Sequence, residues 1–348
     1  MGALPLTPNN IVVRMPNWVG DLVMATPVLI DLRRAFPSAR ITAMAQTSVA
    51  DLLADDASIN ELFRFTRPQS KFQRRQEKRN IIAKLEEGQY DVGVLLTRSF
   101  SSAWWFWQAG IPRRIGFKGN FRSLLLTDRL PLPVGMHQVE VFKQLLRPLG
   151  IEGSKTAPKL SLSGSQQALA RDLLAQNGHV PGERIVGINP GASYGSAKCW
   201  PNERFRELAK RLAEQENWTI VFFGDPSMTG QVKAICRGLP KRVIDLAGKT
   251  DLRQLMCLIA DCDVFVTNDS GPMHIADALG VEVVALFGST DPAATGPYRQ
   301  PLSVVYKKVS CSPCFRRDCP IDFRCMTSIG VDEVLQRVER VLQQKRRV

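Results

Sequence analysis

Three short stretches carry the residue types that could do chemistry. The first is Pro16-Asn17-Trp18-Val19-Gly20-Asp21. It stands between the apolar run from Ile11 to Met15 and a helical spacing of Leu22, Val23, Ala25, Val28, Leu29 and Leu32. A strand, a glycine turn and a helix bring Asp21 to a helix N-terminus on the carboxyl edge of a sheet, where open α/β folds seat their ligands. An Asp there either caps the helix or serves as a general base, and these residues alone leave both roles open. The second stretch, Asn189 to Pro201, also lies between a strand and a helix. Gly191, Ala192 and Ser193 are small enough to let backbone amides approach an anion, and Lys198 can neutralise a phosphate. Its spacing matches neither the Walker loop nor the dinucleotide fingerprint, and a plain surface loop is the competing account. The third, Asn268 to His274, opens a helix after a strand. Ser270 and Gly271 offer free amides at the positive helix end, with Asp269 before them and His274 one turn in. A diphosphate suits that arrangement, and a capped helix with a core histidine would also account for it. Two such loops in one half of the chain favour a nucleotide site.

Charged, aromatic and sulfur-bearing clusters follow. Lys71, Arg74, Arg75, Lys78 and Arg79 fall at helical spacing and gather five cations along one face. Such a run is usually a solvated face, but five like charges repel, and a polyanionic ligand would relieve them. Trp104-Trp105-Phe106-Trp107 cannot all face one core from one helix. Packing against a sheet accounts for most of the group, and an apolar groove or membrane interface for one or two of its members. Cys311, Cys314, Cys319 and Cys325 place four thiols in 15 residues, enough to close around a structural Zn²⁺. The spacing is not that of paired zinc knuckles, so free thiols remain the alternative.

The elements that must position these residues alternate. In the first half, strands at 11–15, 40–45, 61–65 and 92–96 are separated by helices near 22–36, 71–88, 99–109 and 138–149. A Gly- and Ser-bearing linker runs from Gly150 to Gly164. Strands at 185–188, 219–223, 243–246, 264–267 and 283–287 then alternate with a second set of helices, and an amphipathic helix from about Asp332 closes the chain. The pattern predicts two doubly wound parallel sheets. The expected domains are residues 1–163, residues 164–330, and a last helix, 331–348, packing back on the first domain. The 348 residues are 44% hydrophobic and 23% charged, as in ordinary globular proteins. No apolar run nears the ~18 residues that cross a bilayer, and the start of the chain does not read as a signal peptide, so a cytoplasmic location is expected. The net charge is +13, of which residues 1–160 hold +9, with 22 Lys and Arg against 13 Asp and Glu. That charge seeks a polyanion, and with no recognition motif for nucleic acid none is expected as a partner.

Taken together, these stretches, with Arg113-Arg114-Ile115-Gly116-Phe117 and Lys198-Cys199-Trp200-Pro201, resemble the ADP-heptose:lipopolysaccharide heptosyltransferases of glycosyltransferase family 9. Their order and spacing span nearly the whole chain. The Asn-Trp-Val-Gly-Asp wording and the Pro-Gly-Ala loop are most similar to the enzymes that add the second heptose of the inner core. The resemblance implies a GT-B architecture, with the acceptor in the N-terminal domain and ADP-heptose in the C-terminal one, facing each other across a cleft. It implies inverting transfer with Asp21 as base and Lys198 on the phosphates, and no cofactor needed for catalysis. Gly191, Ala192, Ser193, Asp269, Ser270, Gly271 and His274 would hold the donor. Asn17, Lys71, Arg74, Arg75, Arg98 and Arg122 would receive the anionic acceptor, heptosyl-Kdo–lipid A, at the inner membrane. The rivals are another transferase of the family, acting at a different core step, and a non-catalytic sugar-nucleotide or polyanion binder. The cysteine segment departs from the enterobacterial pattern, so catalysis should not depend on it.

Overall fold

The structure is a computed structural model that describes residues 7–119 and 121–345. The chain parts into two compact units between Ser161 and Leu162.

The first unit holds six strands: β1 (Asn10–Arg14), β2 (Arg40–Gln46), β3 (Glu61–Phe65), β4 (Val92–Leu95), β5 (Arg113–Phe117) and β6 (Asp128–Leu130). Its helices are α1 (Val19–Ala35), α2 (Thr47–Ala50), α3 (Lys71–Glu87), α4 (Phe100–Gln108) and α5 (Gln138–Lys143). The sheet is wholly parallel in the order β3-β2-β1-β4-β5-β6. Ile11 pairs with Ile41 on one side and Val92 on the other. Strands buried on both faces read as continuous apolar runs, which is why β1 and β4 stand out in the sequence. β5 opens on two arginines and β6 is three residues long, so neither shows that pattern.

The second unit repeats the plan with β7 (Arg184–Asn189), β8 (Trp218–Phe222), β9 (Val243–Asp245), β10 (Val264–Asn268), β11 (Glu282–Phe287) and β12 (Val304–Tyr306). They lie in the parallel order β12-β11-β10-β7-β8-β9. Around them run α6 (Gly164–Gln176), α7 (Asn202–Ala213), α8 (Thr229–Cys236), α9 (Leu252–Ala260), α10 (Gly271–Leu279), α11 (Pro292–Thr295), α12 (Arg324–Thr327) and α13 (Val331–Lys345). The last helix, expected as a segment of its own, belongs to the second unit. Val334, Leu335, Val338, Val341 and Leu342 of α13 join the core of the second unit with Trp200, Phe205, Leu208 and Met326. That apolar stripe is already covered by its own unit. Residues 346–348 of the expected segment lie outside the described residues.

The linker is tied to the first unit before it leaves. Thr156 donates its hydroxyl to Asp31 at 2.5 Å, and the Lys159 amide donates to the Thr26 hydroxyl at 3.1 Å. In each sheet the strand order reverses at a switch point, between β1 and β4 in the first and between β7 and β10 in the second. Parallel sheets open their ligand crevices at those points.

Candidate active site

In the second unit, the carboxyl ends of β7 and β10 are laced together by two asparagines. Asn189 donates its side-chain amide to the Gly191 carbonyl at 3.0 Å and to the Ser270 hydroxyl at 3.2 Å. Asn268 donates to the Pro190 carbonyl at 2.7 Å and accepts from the Trp200 amide at 3.0 Å, so it pins the 190–200 loop at both ends. Trp200 is fully buried, and its indole donates to the Ile329 carbonyl. A loop held this way keeps its side chains in place without secondary structure of its own.

Lys198 leaves that loop in a short 3-10 turn and meets Asp269, with Nζ 2.5 Å from Oδ2. Both groups are largely buried, at 13% and 5% side-chain exposure. Asp269 also accepts the Thr290 hydroxyl at 2.6 Å. Directly after it, Ser270 is the N-cap of α10 and Gly271 its first residue. The Ser270 hydroxyl is occupied by Asn189 and Thr267 rather than by capping, so the amides that open α10 are not capped by it. They form the positive end of the helix, beside the only ammonium of the loop. His274 lies buried one turn further in. Gly191 is buried and Ser193 exposed. The Ala192 amide is turned onto the Cys199 thiol, which burial raises above the ordinary cysteine range. The structure therefore brings Gly191, Lys198, Asp269, Ser270 and Gly271 to one switch point.

In the first unit, Asp21 does not cap α1. The N-cap is Trp18, and Asp21 is the third helical residue, half-buried in the first turn. A carboxylate there is favoured by the helix dipole. Asn17 is held by Arg14, whose Nη2 donates to its Oδ1 at 2.6 Å. Arg14 is fully buried at the end of β1, its guanidinium 4.5 Å from the Phe65 ring centre and donating to the Met15 and Met44 carbonyls. Burial, with a contribution from Arg67, pulls it down to about 9, so it remains a cation at neutral pH. A charge inside an apolar strand was the signal for this residue, and the strand reading passed over it.

The expected acceptor cations separate into two groups. Lys71, Arg74 and Arg75 are exposed on the first turns of α3, which buries only Ile81 and Leu85. Among the described residues, no ion pair is formed by these three or by Lys78 and Arg79. Lys78 lies 5.3 Å over the Trp104 ring. Trp105 and Phe106 of α4 are buried, whereas Trp107 is 44% and Phe100 45% exposed. Arg122, expected as a surface cation, is instead buried at 1% exposure, packed under Gly116 and donating to the Thr97 carbonyl. Burial and the neighbouring Arg98 pull it down to about 10. Its Nε and Nη2 have no partner among the described residues. Arg98 itself is exposed.

The four cysteines of the segment are free thiols that differ in exposure. Cys311 and Cys314 are exposed, Cys319 is half-buried and Cys325 buried. Burial is the main cause that raises the Cys325 thiol, with smaller contributions from the other three cysteines. Among the described residues no three Cys, His, Asp or Glu side chains are gathered to hold an ion. The segment lies against the Lys198 loop instead, through contacts that the cysteine count did not signal.

Two Rossmann-like units in one chain, each with its crevice at a switch point, are the GT-B architecture of sugar-nucleotide transferases. The profile of glycosyltransferase family 9 (heptosyltransferase) matches residues 78–323. The lipopolysaccharide heptosyltransferase 2 of Escherichia coli K12 is 32% identical over 318 residues, covering 85% of this chain and 87% of the relative. The lipooligosaccharide heptosyltransferase 2 of Haemophilus influenzae is 31% identical over 307 residues, covering 85% and 88%. The solved structure of E. coli ADP-heptose lipopolysaccharide heptosyltransferase II superposes with a TM-score of 0.83 at 29% identity, covering 97% of this chain and 99% of that one. The chain belongs to glycosyltransferase family 9 and is a glycosyltransferase of the heptosyltransferase kind. Among the described residues no helix is long and apolar enough to cross a membrane.

Proposed function

We propose that this enzyme moves L-glycero-D-manno-heptose from ADP-heptose to heptosyl-Kdo–lipid A, the second-heptose step of the lipopolysaccharide inner core, with inversion at the anomeric carbon. The observation that carries the reading is the Lys198–Asp269 pair at the N-terminus of α10. It joins a cation, free amides and a carboxylate at one switch point, which suits a diphosphate and the polyol attached to it. Similarity to heptosyltransferases 2 at 31–32% identity supports the choice of donor and acceptor.

In the reaction, the Asp21 carboxylate accepts the proton of the attacking acceptor hydroxyl. The new bond forms at the anomeric carbon as the bond to the diphosphate oxygen breaks. The charge released on ADP is met by Lys198 and by the amides of Ser270 and Gly271. An ordinary aspartate is a weak base near neutrality, so proton transfer falls late, when the positively charged sugar has made the hydroxyl acidic. Gly191, Ala192 and Ser193 line the phosphate side of the loop, and Asp269 and His274 the sugar side. With charge neutralised by side chains and amides, turnover is expected to survive EDTA. The exposed cations of α3, Asn17 and Arg98 take the acid groups of the acceptor, with Arg122 as a buried cation behind them. The half-exposed Phe100 and Trp107 beside α3 fit peripheral contact with the inner membrane. Each cation near an anionic surface contributes on the order of 1 kcal/mol.

The test is ADP release from ADP-heptose with Kdo–lipid A and heptosyl-Kdo–lipid A supplied separately. Turnover on the heptosylated acceptor alone, abolished in Asp21→Ala with ADP affinity intact, is the expected result. Turnover on Kdo–lipid A would move the enzyme to the first heptose. Donor hydrolysis insensitive to either acceptor would defeat the reading.

A further inference from the structure

The cysteine segment has no place in the reaction as described, yet it is bound to the Lys198 loop at every step. The Cys314 and Phe315 amides donate to the Ser289 carbonyl at 3.1 and 2.7 Å, which hangs the segment from the chain just beyond β11. The Tyr194 hydroxyl donates to the Phe315 carbonyl at 2.8 Å. The Ala197 amide donates to the Arg317 carbonyl at 2.8 Å, and the Ser196 hydroxyl to Asp318 at 2.7 Å. Gly195 lets the two backbones touch: a Cβ there would stand 2.3 Å from the Arg317 carbonyl oxygen.

These contacts fix the backbone of Arg317 and leave its side chain to the loop. The guanidinium carbon lies 5.3 Å from the centre of the Tyr194 ring, and Lys198 Nζ lies 4.8 Å from the same centre. Two cations therefore share one aromatic ring. Lys198 has Asp269 as counter-ion, whereas Arg317 has no ion pair among the described residues, and Asp318 is engaged by Ser196. A cation over an aromatic face in water gains little by itself. Asp269 answers the charge of Lys198 alone, so the guanidinium beside it is left to an incoming anion, and a guanidinium fork grips phosphate oxygens in pairs.

We propose that Arg317, carried in by the cysteine segment, is a second cation of the donor site and holds the donor's diphosphate together with Lys198. This rests on the donor reading given above. The segment's role in the donor site is then to deliver an arginine to the phosphates.

The experiment is calorimetric titration of ADP and of adenosine into the full-length protein and into Arg317→Ala, Arg317→Lys and Arg316→Ala. Arg317→Ala keeps the carbonyl that receives Ala197, so the loop contact survives and only the charge is lost. The expected result is ADP affinity about ten-fold lower in Arg317→Ala, partly kept in Arg317→Lys and unchanged in Arg316→Ala, with adenosine affinity equal throughout. Equal weakening of ADP and adenosine would make Arg317 a buttress of the loop and overturn the proposal, as would unchanged ADP affinity. If the unaltered protein itself failed to prefer ADP over adenosine, there would be no diphosphate site, and the donor reading would fall together with this one.

Discussion

Replacing Lys198 with methionine separates its two roles. The substitution leaves Asp269, 5% exposed, with the Thr290 hydroxyl at 2.6 Å and without the ammonium 2.5 Å away. Breaking a buried ion pair from one side costs about 3–5 kcal/mol, because the remaining charge stays desolvated. At about 2–4 °C per kcal/mol for a unit of this size, the second unit should melt roughly 6–20 °C lower. The double variant Lys198→Met with Asp269→Asn removes the orphaned charge and should recover most of that loss. Donor binding should not recover. A charge-assisted hydrogen bond to the diphosphate is worth about 1.5–3 kcal/mol, so both variants should bind ADP roughly 10- to 150-fold more weakly. ADP lacks the heptose assigned to Asp269, so the asparagine does not confuse the reading. Thermal melting and calorimetric titration of ADP measure the two quantities on the same samples. If the double variant regained ADP affinity along with its melting temperature, Lys198 would serve only to neutralise Asp269, and its phosphate role would be refuted.

Charge reversal at Arg74 and Arg75, which are exposed on α3 without acid partners among the described residues, should raise the acceptor KM about ten-fold or more and leave ADP affinity alone; an unchanged acceptor KM would remove α3 from the acceptor surface. Iodoacetamide on the native protein should label the exposed Cys311 and Cys314 and spare the buried Cys257 and Cys325, as read by peptide mass spectrometry. Protection of Cys311 and Cys314 with one equivalent of zinc in the same sample would contradict the free-thiol arrangement. Asp277 is buried on α10, accepting the Arg299 amide at 3.1 Å with Oδ1 unpartnered among the described residues, and burial pushes its carboxyl up to about 6 from 3.8. The folded state then holds the proton more tightly than the unfolded one, so stability is fullest below pH 3.8 and falls as pH rises through 6, by roughly 3 kcal/mol. Asp277→Asn should therefore melt higher than the unaltered protein at pH 8 and lose that advantage at pH 4; an advantage independent of pH would show that the charge is not the cause.

What the sequence disclosed follows from which features are periodic. Parallel strands buried on both faces announce themselves as unbroken apolar runs, so β1, β4, β7 and β10 were legible, and with them the strand ends after which Asp21, Lys198 and Asp269 follow. β5 opens on Arg113 and Arg114, and the three-residue β6 and β12 lie at sheet edges, where less buried surface is needed, so none of them carries such a run. The ends of the last helix were legible but not its partner, since an amphipathic stripe specifies that something covers it and not which core does so. The rest depends on contacts between residues far apart in the chain. Lys198 and Asp269 were each marked by their loops, yet nothing in either loop states that a residue 71 positions away will come within 2.5 Å. The burial of Arg14 and Arg122 was hidden for a related reason: an arginine is ordinarily a surface residue, and only the folded sheet shows these two enclosed and fastened to carbonyls. The cysteines drew attention to their spacing alone, whereas the segment is also fastened to Ser289, Tyr194 and Ala197, which no spacing announces. A motif read as self-contained takes its meaning from the neighbour it leans on, and here that neighbour is the loop that carries Lys198.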